Sequence, residues 1–302
     1  MSITVVGSVA LDDVQTPFGE IHRGLGGSGS HFAVAASYFT QVNLVGVVGE
    51  DFPQEHIEFF KSRQIDLAGL QIVAGKTFYW RGYYDYDLNN AKTLETQLNV
   101  FENFAPRLPE SYKNPKILFL GNIHPDLQMH VIENAGKPGL IVLDTMNYWI
   151  SNEKKALMRT IAKVNVLTIN ETEARLLTDT PNVVTAARKL QKLGPKVVVL
   201  KRGEYGSLLF FGEHIFSAPA LPIEQVFDPT GAGDSFAGGM MGYLSQTPHS
   251  DFNAYKTAVI CGSVMASFNV EKFSCDRLRN LAQSDVVERF NAFTSLSQFG
   301  KM

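Results

Sequence analysis

Six short runs of mostly β-branched, apolar residues punctuate this chain, at Ile3–Val6, Val42–Val48, Ile117–Leu120, Leu140–Leu143, Val166–Ile169 and Val197–Leu200. Each is too short for a helix and is apolar at nearly every position, as a strand covered on both faces must be. Between the runs lie segments with helical spacing of apolar side chains, among them Val183–Leu193 and Phe252–Phe268. Alternating strand and helix predicts an α/β fold, a mostly parallel sheet with helices on both sides. No internal repeat, low-complexity tract or linker divides the sequence, so a single domain over 1–302 is expected.

The polar residue after each run locates the function. Asp12 follows the first run after Gly7, and Asn122, Asp144, Asn170 and Lys201 follow later ones. Ligands of open α/β sheets bind beyond the carboxyl ends of the strands, so these side chains are expected along one edge, the predicted active site.

A net charge of −3 offers no basic footprint for nucleic acid or an anionic membrane, and neither partner is expected. The start of the chain, Met1-Ser-Ile-Thr-Val-Val-Gly7, lacks the basic and long apolar parts of a signal peptide and reads as the first strand. No apolar stretch approaches the roughly eighteen residues of a membrane span. Cys261 and Cys275 lack metal-ligand spacing and fit a reducing compartment, so a cytoplasmic protein is expected.

Asp-Pro-Thr-Gly-Ala-Gly-Asp, from Asp228 to Asp234, carries the chemistry. Gly231, Ala232 and Gly233 let backbone N–H groups converge, and the apolar helical stretch behind them adds the positive end of a helix dipole. An anion fits there, yet Asp234 at the same helix start would repel it. The conflict resolves if Asp234 takes the proton of a hydroxyl that attacks a phosphoryl group held by the N–H groups. Taken alone, the string is equally good turn and cap chemistry.

Other motifs are weaker singly. Gly24-Leu-Gly26-Gly27-Ser-Gly29 matches a dinucleotide fingerprint, but the preceding Thr16–Arg23 is polar and turn-like rather than a buried strand. A substrate loop is the better reading. Asn170-Glu-Thr-Glu173 could organise Mg²⁺ through water or be an ordinary acidic helix start. Lys201-Arg-Gly203-Glu-Tyr-Gly206 reads as a tight turn whose cations meet phosphates or are solvated. His31 sits among apolar residues near the glycine loop, where a structural histidine is commoner than a catalytic one. His22, His124 and His130 show no ligand spacing, and no phosphate-binding G-x-x-x-x-G-K-[ST] occurs.

Thr77–Asn90 is aromatic-rich and partly alternating. With Phe18–Ile21 it predicts a small sheet standing off the main one, with lid segments at about 11–24 and 72–98. Such a sheet must cover something, either a substrate or a second copy, so a homodimer through the lid is expected.

In this order, Gly7-Ser-Val-Ala-Leu-Asp12, Gly26-Gly27, Asn170-Glu-Thr-Glu173, Lys201-Arg-Gly203 and Asp228–Asp234, the chain resembles the ribokinase-like (PfkB family) carbohydrate and nucleoside kinases over essentially its full length. The resemblance implies a three-layer α/β/α sandwich with a β-sheet lid, and ATP with Mg²⁺ as phosphoryl donor. By motif it implies Asp234 as general base and Gly231, Ala232 and Gly233 as the anion hole. Asn170, Glu173, Lys201, Gly203 and Gly206 would serve the nucleotide, with Glu173 reaching Mg²⁺ through water. Asp12, Gly26, Gly27, His31 and Asn122 would bind the acceptor, and Asp228 and Thr230 a monovalent cation such as K⁺. The expected activity is ATP-dependent phosphorylation of an alcohol, a primary hydroxyl of a sugar; the alternatives are a nucleoside kinase of the adenosine kinase type and a non-catalytic sensor. Ribose-using relatives carry Asn where this chain has His31, Lys at Ser28 and a carboxylate near Asn122, so plain ribose specificity is not implied.

Overall fold

Consecutive residues of the buried strands divide between two cores, and that division builds the layers. Ile3, Val42, Leu44, Ile117, Phe119, Val197 and Val199 belong to one hydrophobic cluster. Their neighbours Val6, Val45, Leu118, Leu120, Val198 and Leu200 belong to another. Successive side chains of a strand point to opposite faces, so a run apolar at every position supplies both.

The computed structural model describes residues 2–88, 91–248 and 251–298. The chain opens with β1 (Ser2–Val6), β2 (Ala10–Thr16), β3 (Gly19–Gly26), α1 (Ser28–Ala36), β4 (Gln41–Gly49), α2 (Gln54–Ser62) and β5 (Ile65–Val73). Next come β6 (Phe78–Tyr84), β7 (Ala91–Gln97), β8 (Ile117–Leu120), α3 (Pro125–Asn134), β9 (Leu140–Leu143), α4 (Asn147–Asn152) and α5 (Lys154–Ile161). The second half holds β10 (Val166–Asn170), α6 (Glu171–Thr178), α7 (Val183–Gln191), β11 (Val197–Lys201), β12 (Ser207–Phe211) and β13 (His214–Ala218). It ends in α8 (Ala232–Leu244), α9 (Phe252–Asn269), α10 (Asp276–Arg279) and α11 (Gln283–Ser297).

Nine strands form the central sheet in the order β13-β12-β11-β10-β9-β8-β1-β4-β5. Strands β5 to β11 along that order pair in parallel, and β12 and β13 add an antiparallel hairpin at one edge. The first cluster packs the sheet against α1, α8 and α9, the second against α3, α5, α6 and α7. This is the ribokinase-like three-layer sandwich that the motifs implied. No helix among the described residues is long and apolar enough to cross a membrane.

A second sheet, ordered β3-β2-β6-β7, is the lid. Strands β2 and β6 pair in parallel, joining two distant hairpins into one surface. Its bounds differ from expectation in two places. Residues 72 and 73 close β5 of the central sheet, and the polar Thr16–Arg23 is a hairpin whose turn is only Pro17-Phe18. Gly19, Glu20, His22 and Arg23 are exposed, so this strand lacks the apolar signature of a core strand. Asn89 and Asn90, counted with the aromatic stretch, lie outside the described residues.

Candidate active site

Residues from seven parts of the chain meet at the carboxyl ends of the parallel strands. Asp234 lies in the first turn of α8, whose N-cap Gly231 holds the left-handed conformation at φ 75°. A Cβ at Gly231 would stand 2.3 Å from the ring of His31, so only glycine fits both the turn and the space. Ala232 N–H donates to the Pro229 carbonyl oxygen at 3.1 Å. That bond engages the Ala232 N–H, which lies between the N–H groups of Gly231 and Gly233.

On one side of Asp234 is a cationic centre. Lys201, at the end of β11, pairs with Asp144, just beyond β9, at 2.6 Å, and its ammonium abuts Gly233. Burial works against the lysine's charge, but Asp144, Asp234 and Glu173 together outweigh it and hold Lys201 above its ordinary value. Lys201 is thus an ion-paired cation rather than a solvated one, and Arg202 is tied to Glu171 at 2.9 Å. Gly203 and Gly206, both at positive φ, frame the short turn that follows.

Asn170 and Glu173 form a reciprocal capping box at the start of α6. Asn170 accepts from Glu173 N–H at 2.7 Å, and Glu173 accepts from Asn170 N–H at 2.9 Å. Burial pushes the Glu173 carboxyl up to about 7; Lys201 draws it down and Asp144 pushes it further up. Asp144, Glu173 and Asp234 set three carboxylates against one ammonium, a balance that a divalent cation fits. Among the described residues no group of three or more His, Cys, Asp or Glu could ligate a metal ion directly. A bound Mg²⁺ would thus reach Glu173 through water, as that ion's retained hydration allows.

On the other side is a small enclosed cavity, lined by Asp12, Ile21, Leu25, His31, Asp228 and Thr230 among others. Burial, with Asp228, Asp13 and Asp234 nearby, pushes Asp12 up to about 8. Gly26 backs this carboxylate so closely that a Cβ would lie 2.0 Å from Oδ2. Gly27, at φ 92°, passes the Ser8 carbonyl, which a Cβ would meet at 2.4 Å. Asp234 feels Asp144 and Lys201 on one side and raises Asp12 from the other. Its own carboxyl is pushed up to about 7 by burial first and Asp144 second.

Three further residues expected at the site are held by neighbours. Asn122 holds Trp149 Nε1 at 2.7 Å and rests on the Met146 sulfur at 2.9 Å, within a cluster of His124, Tyr148 and Trp149. Asp228 accepts from Thr230 N–H at 2.8 Å and Ser274 N–H at 3.1 Å. Thr230 gives its hydroxyl proton to Tyr84, at 3.2 Å, and its carbonyl accepts from Asn269 at 2.8 Å. Each of these oxygens keeps a second lone pair beyond the hydrogen bond it accepts.

Sequence reasoning left out two contributors. Asp144 was visible as a strand-end carboxylate, yet its pairing with Lys201 needed the β9-β10-β11 strand order. Tyr84, on lid strand β6, reaches over Thr230, and burial holds its phenol well above the usual value. A separate cavity of about 620 Å³ lies at the opposite ends of the strands, beside Leu140, Val197 and Arg188. Arg188 there is spent on the carbonyls of Gly212 and Glu213, far from these carboxylates.

Similarity to known proteins agrees with this geometry. Cytidine kinase of Thermococcus kodakarensis is 32% identical over 255 residues, 82% of this chain and 90% of that protein. The nucleoside kinase of Burkholderia thailandensis, solved in complex with inosine, superposes with a TM-score of 0.79 at 18% identity, over 96% of this chain and 97% of that one. Arabidopsis thaliana ribokinase, complexed with ribose and ATP, gives 0.74 at 21% identity over 95% and 98%. At such identities the two structures speak for the fold. Residues 2–280 match the model of the pfkB family carbohydrate kinases, and the chain belongs to that family.

Proposed function

We propose that the protein transfers the γ-phosphoryl group of ATP to a primary hydroxyl of a nucleoside. The observation that carries this reading is Asp234, half-buried between the Lys201 centre and the Asp12 cavity. There it takes the proton of the acceptor hydroxyl while that oxygen forms a bond to the γ-phosphorus and the bond to the β-phosphate oxygen breaks. A base raised to about 7 is matched to work at neutral pH. Lys201 and the N–H groups of Gly231 and Gly233 offset the charge developing on the transferred group. Asp12 orients the acceptor through its other hydroxyls, backed by Gly26 and Gly27, with His31 in the same wall. Mg²⁺ would supply charge neutralisation on the ATP phosphates.

The name of the Thermococcus relative favours a nucleoside over the sugar that the sequence first suggested. The lid supports it: the aromatic-rich strand β6 brings the Tyr84 hydroxyl onto Thr230, and aromatic rings are surfaces on which a base can stack. Transfer of labelled phosphate from ATP, measured across nucleosides, ribose and fructose, tests the reading. A nucleoside is expected to have the highest kcat/KM, and a sugar in that place overturns it. Tight binding with no transfer to any acceptor would leave a sensor. Asp234→Asn is expected to lower kcat at least about a hundredfold, the contribution of a positioned base.

The proposal includes a homodimer through the lid, because Leu94 on β7 and Tyr86 beyond β6 expose apolar surface there. Sedimentation of Leu94→Lys should then show a shift to monomer.

A further inference from the structure

Behind the anion loop lies a buried side chain that the proposed chemistry does not use. Asn269, the last residue of α9, is 1% exposed. Its Nδ2 donates to the Thr230 carbonyl oxygen at 2.8 Å. Its Oδ1 accepts from the Ser235 hydroxyl at 3.0 Å and lies 3.0 Å from Nδ1 of His31. A carbonyl can only accept, so the amide has one orientation here, with NH₂ towards Thr230 and oxygen towards His31 and Ser235.

That orientation dictates the state of the histidine. Nδ1 of His31 faces the Asn269 oxygen at 3.0 Å and the Cys275 sulfur at 3.4 Å; the amide oxygen only accepts, and the thiol is the weaker partner, so the nearer contact calls for a proton on Nδ1. Burial holds the ring down at about 4, so at neutral pH this is its only proton. Nε2 is therefore a bare lone pair, buried and without a hydrogen-bond partner. A buried acceptor without a donor is unfavourable, and the same ring lines the acceptor cavity beside Asp12.

We propose that Asn269 is a positioning residue that locks His31 in the Nδ1–H tautomer, so that Nε2 accepts a hydrogen bond from a non-reacting hydroxyl of the acceptor. This rests on the kinase reading, since it concerns that acceptor's hydroxyls. A site built to receive a hydroxyl rejects the analogue lacking it, so the device selects for ribosyl over deoxyribosyl acceptors.

Two measurements test it. In protein labelled with ¹⁵N-histidine, the His31 signal, assigned by its loss in His31→Asn, should show a protonated Nδ1 and a bare Nε2 at neutral pH. A protonated Nε2 overturns the proposal, and this measurement needs no variant at Asn269 to fold and no activity. In Asn269→Leu the Nε2–H tautomer should appear. The KM penalty for the 2′- or 3′-deoxy form of the best nucleoside, about tenfold or more in wild type, should shrink several-fold. Full retention of that penalty in a folded Asn269→Leu protein also overturns it. Failure of wild type to phosphorylate any nucleoside would instead count against the kinase reading, with the tautomer still decided by the spectrum.

Discussion

Thr230 and Tyr84 join the floor of the acceptor cavity to its lid, hydroxyl to hydroxyl, at 3.2 Å. The two residues are far apart in sequence, and the contact exists because β6 pairs in parallel with β2, which carries Asp12.

Tyr84→Phe keeps the ring and deletes only this hydrogen bond. A neutral hydrogen bond contributes about 1 kcal/mol net, so the acceptor KM is expected to rise roughly three- to tenfold. The KM for ATP should not change. Steady-state kinetics with each substrate varied in turn checks it, and an equal rise in both constants would point to general loosening of the fold.

Gly26→Ala acts on the opposite wall. The new methyl would stand 2.0 Å from Asp12 Oδ2, so the carboxyl must move out of register with the acceptor. Since kcat/KM depends on placement of the reacting hydroxyl, it is expected to fall at least about tenfold, with ATP binding intact. Calorimetric titration with an ATP analogue separates the two effects.

Stability and activity should run in opposite directions with pH. Asp12, raised to about 8, and Asp234 and Glu173, raised to about 7, hold protons in the folded chain that the unfolded chain has released. Folded protein thus binds more protons between their unfolded values and those raised values, and stability falls as pH rises through that window. His31 works in the other direction, but only between about 4 and the ordinary 6.5 of an imidazole. From about pH 6.5 to 8.5 the melting temperature is expected to decline while kcat climbs through about pH 7 as Asp234 loses its proton. Asp12→Asn should flatten the decline. A melting temperature that rises over this interval would mean that these carboxyls titrate as they do in water.

The strands and the loop were legible because each carries its signal locally. A run such as Ile117–Leu120 must be covered on both faces, and Asp228–Asp234 contains its own turn, cap and base. What was not legible depends on strand order. Asp144 gains meaning only when β9, β10 and β11 lie side by side, and Lys201 cannot be told from a solvated lysine before then. Thr16–Arg23 falls in the lid as expected, though its residues alone read as turn-like because an exposed lid strand carries polar residues, as a loop does. Asn122 stands at a strand end like the others, yet Trp149 and Met146 claim its amide.

The Lys201–Asp144 pair separates folding from function. Both side chains are largely buried, at 17% and 4% exposure, so removing the cation strands three carboxylates in a dry site. Breaking a buried pair on one side costs about 3–5 kcal/mol, and Lys201→Met should lower the melting temperature accordingly. Replacing both partners takes away Lys201's directly paired carboxylate and leaves Glu173 and Asp234, so Lys201→Met with Asp144→Leu is expected to recover part of that stability. Activity should not return, because the γ-phosphoryl group still lacks its cation beside Gly233. Denaturant unfolding and phosphate transfer, measured on the two single variants and the double, decide the matter. Recovery of both stability and turnover in the double variant would mean that the pair only braces β9 against β11.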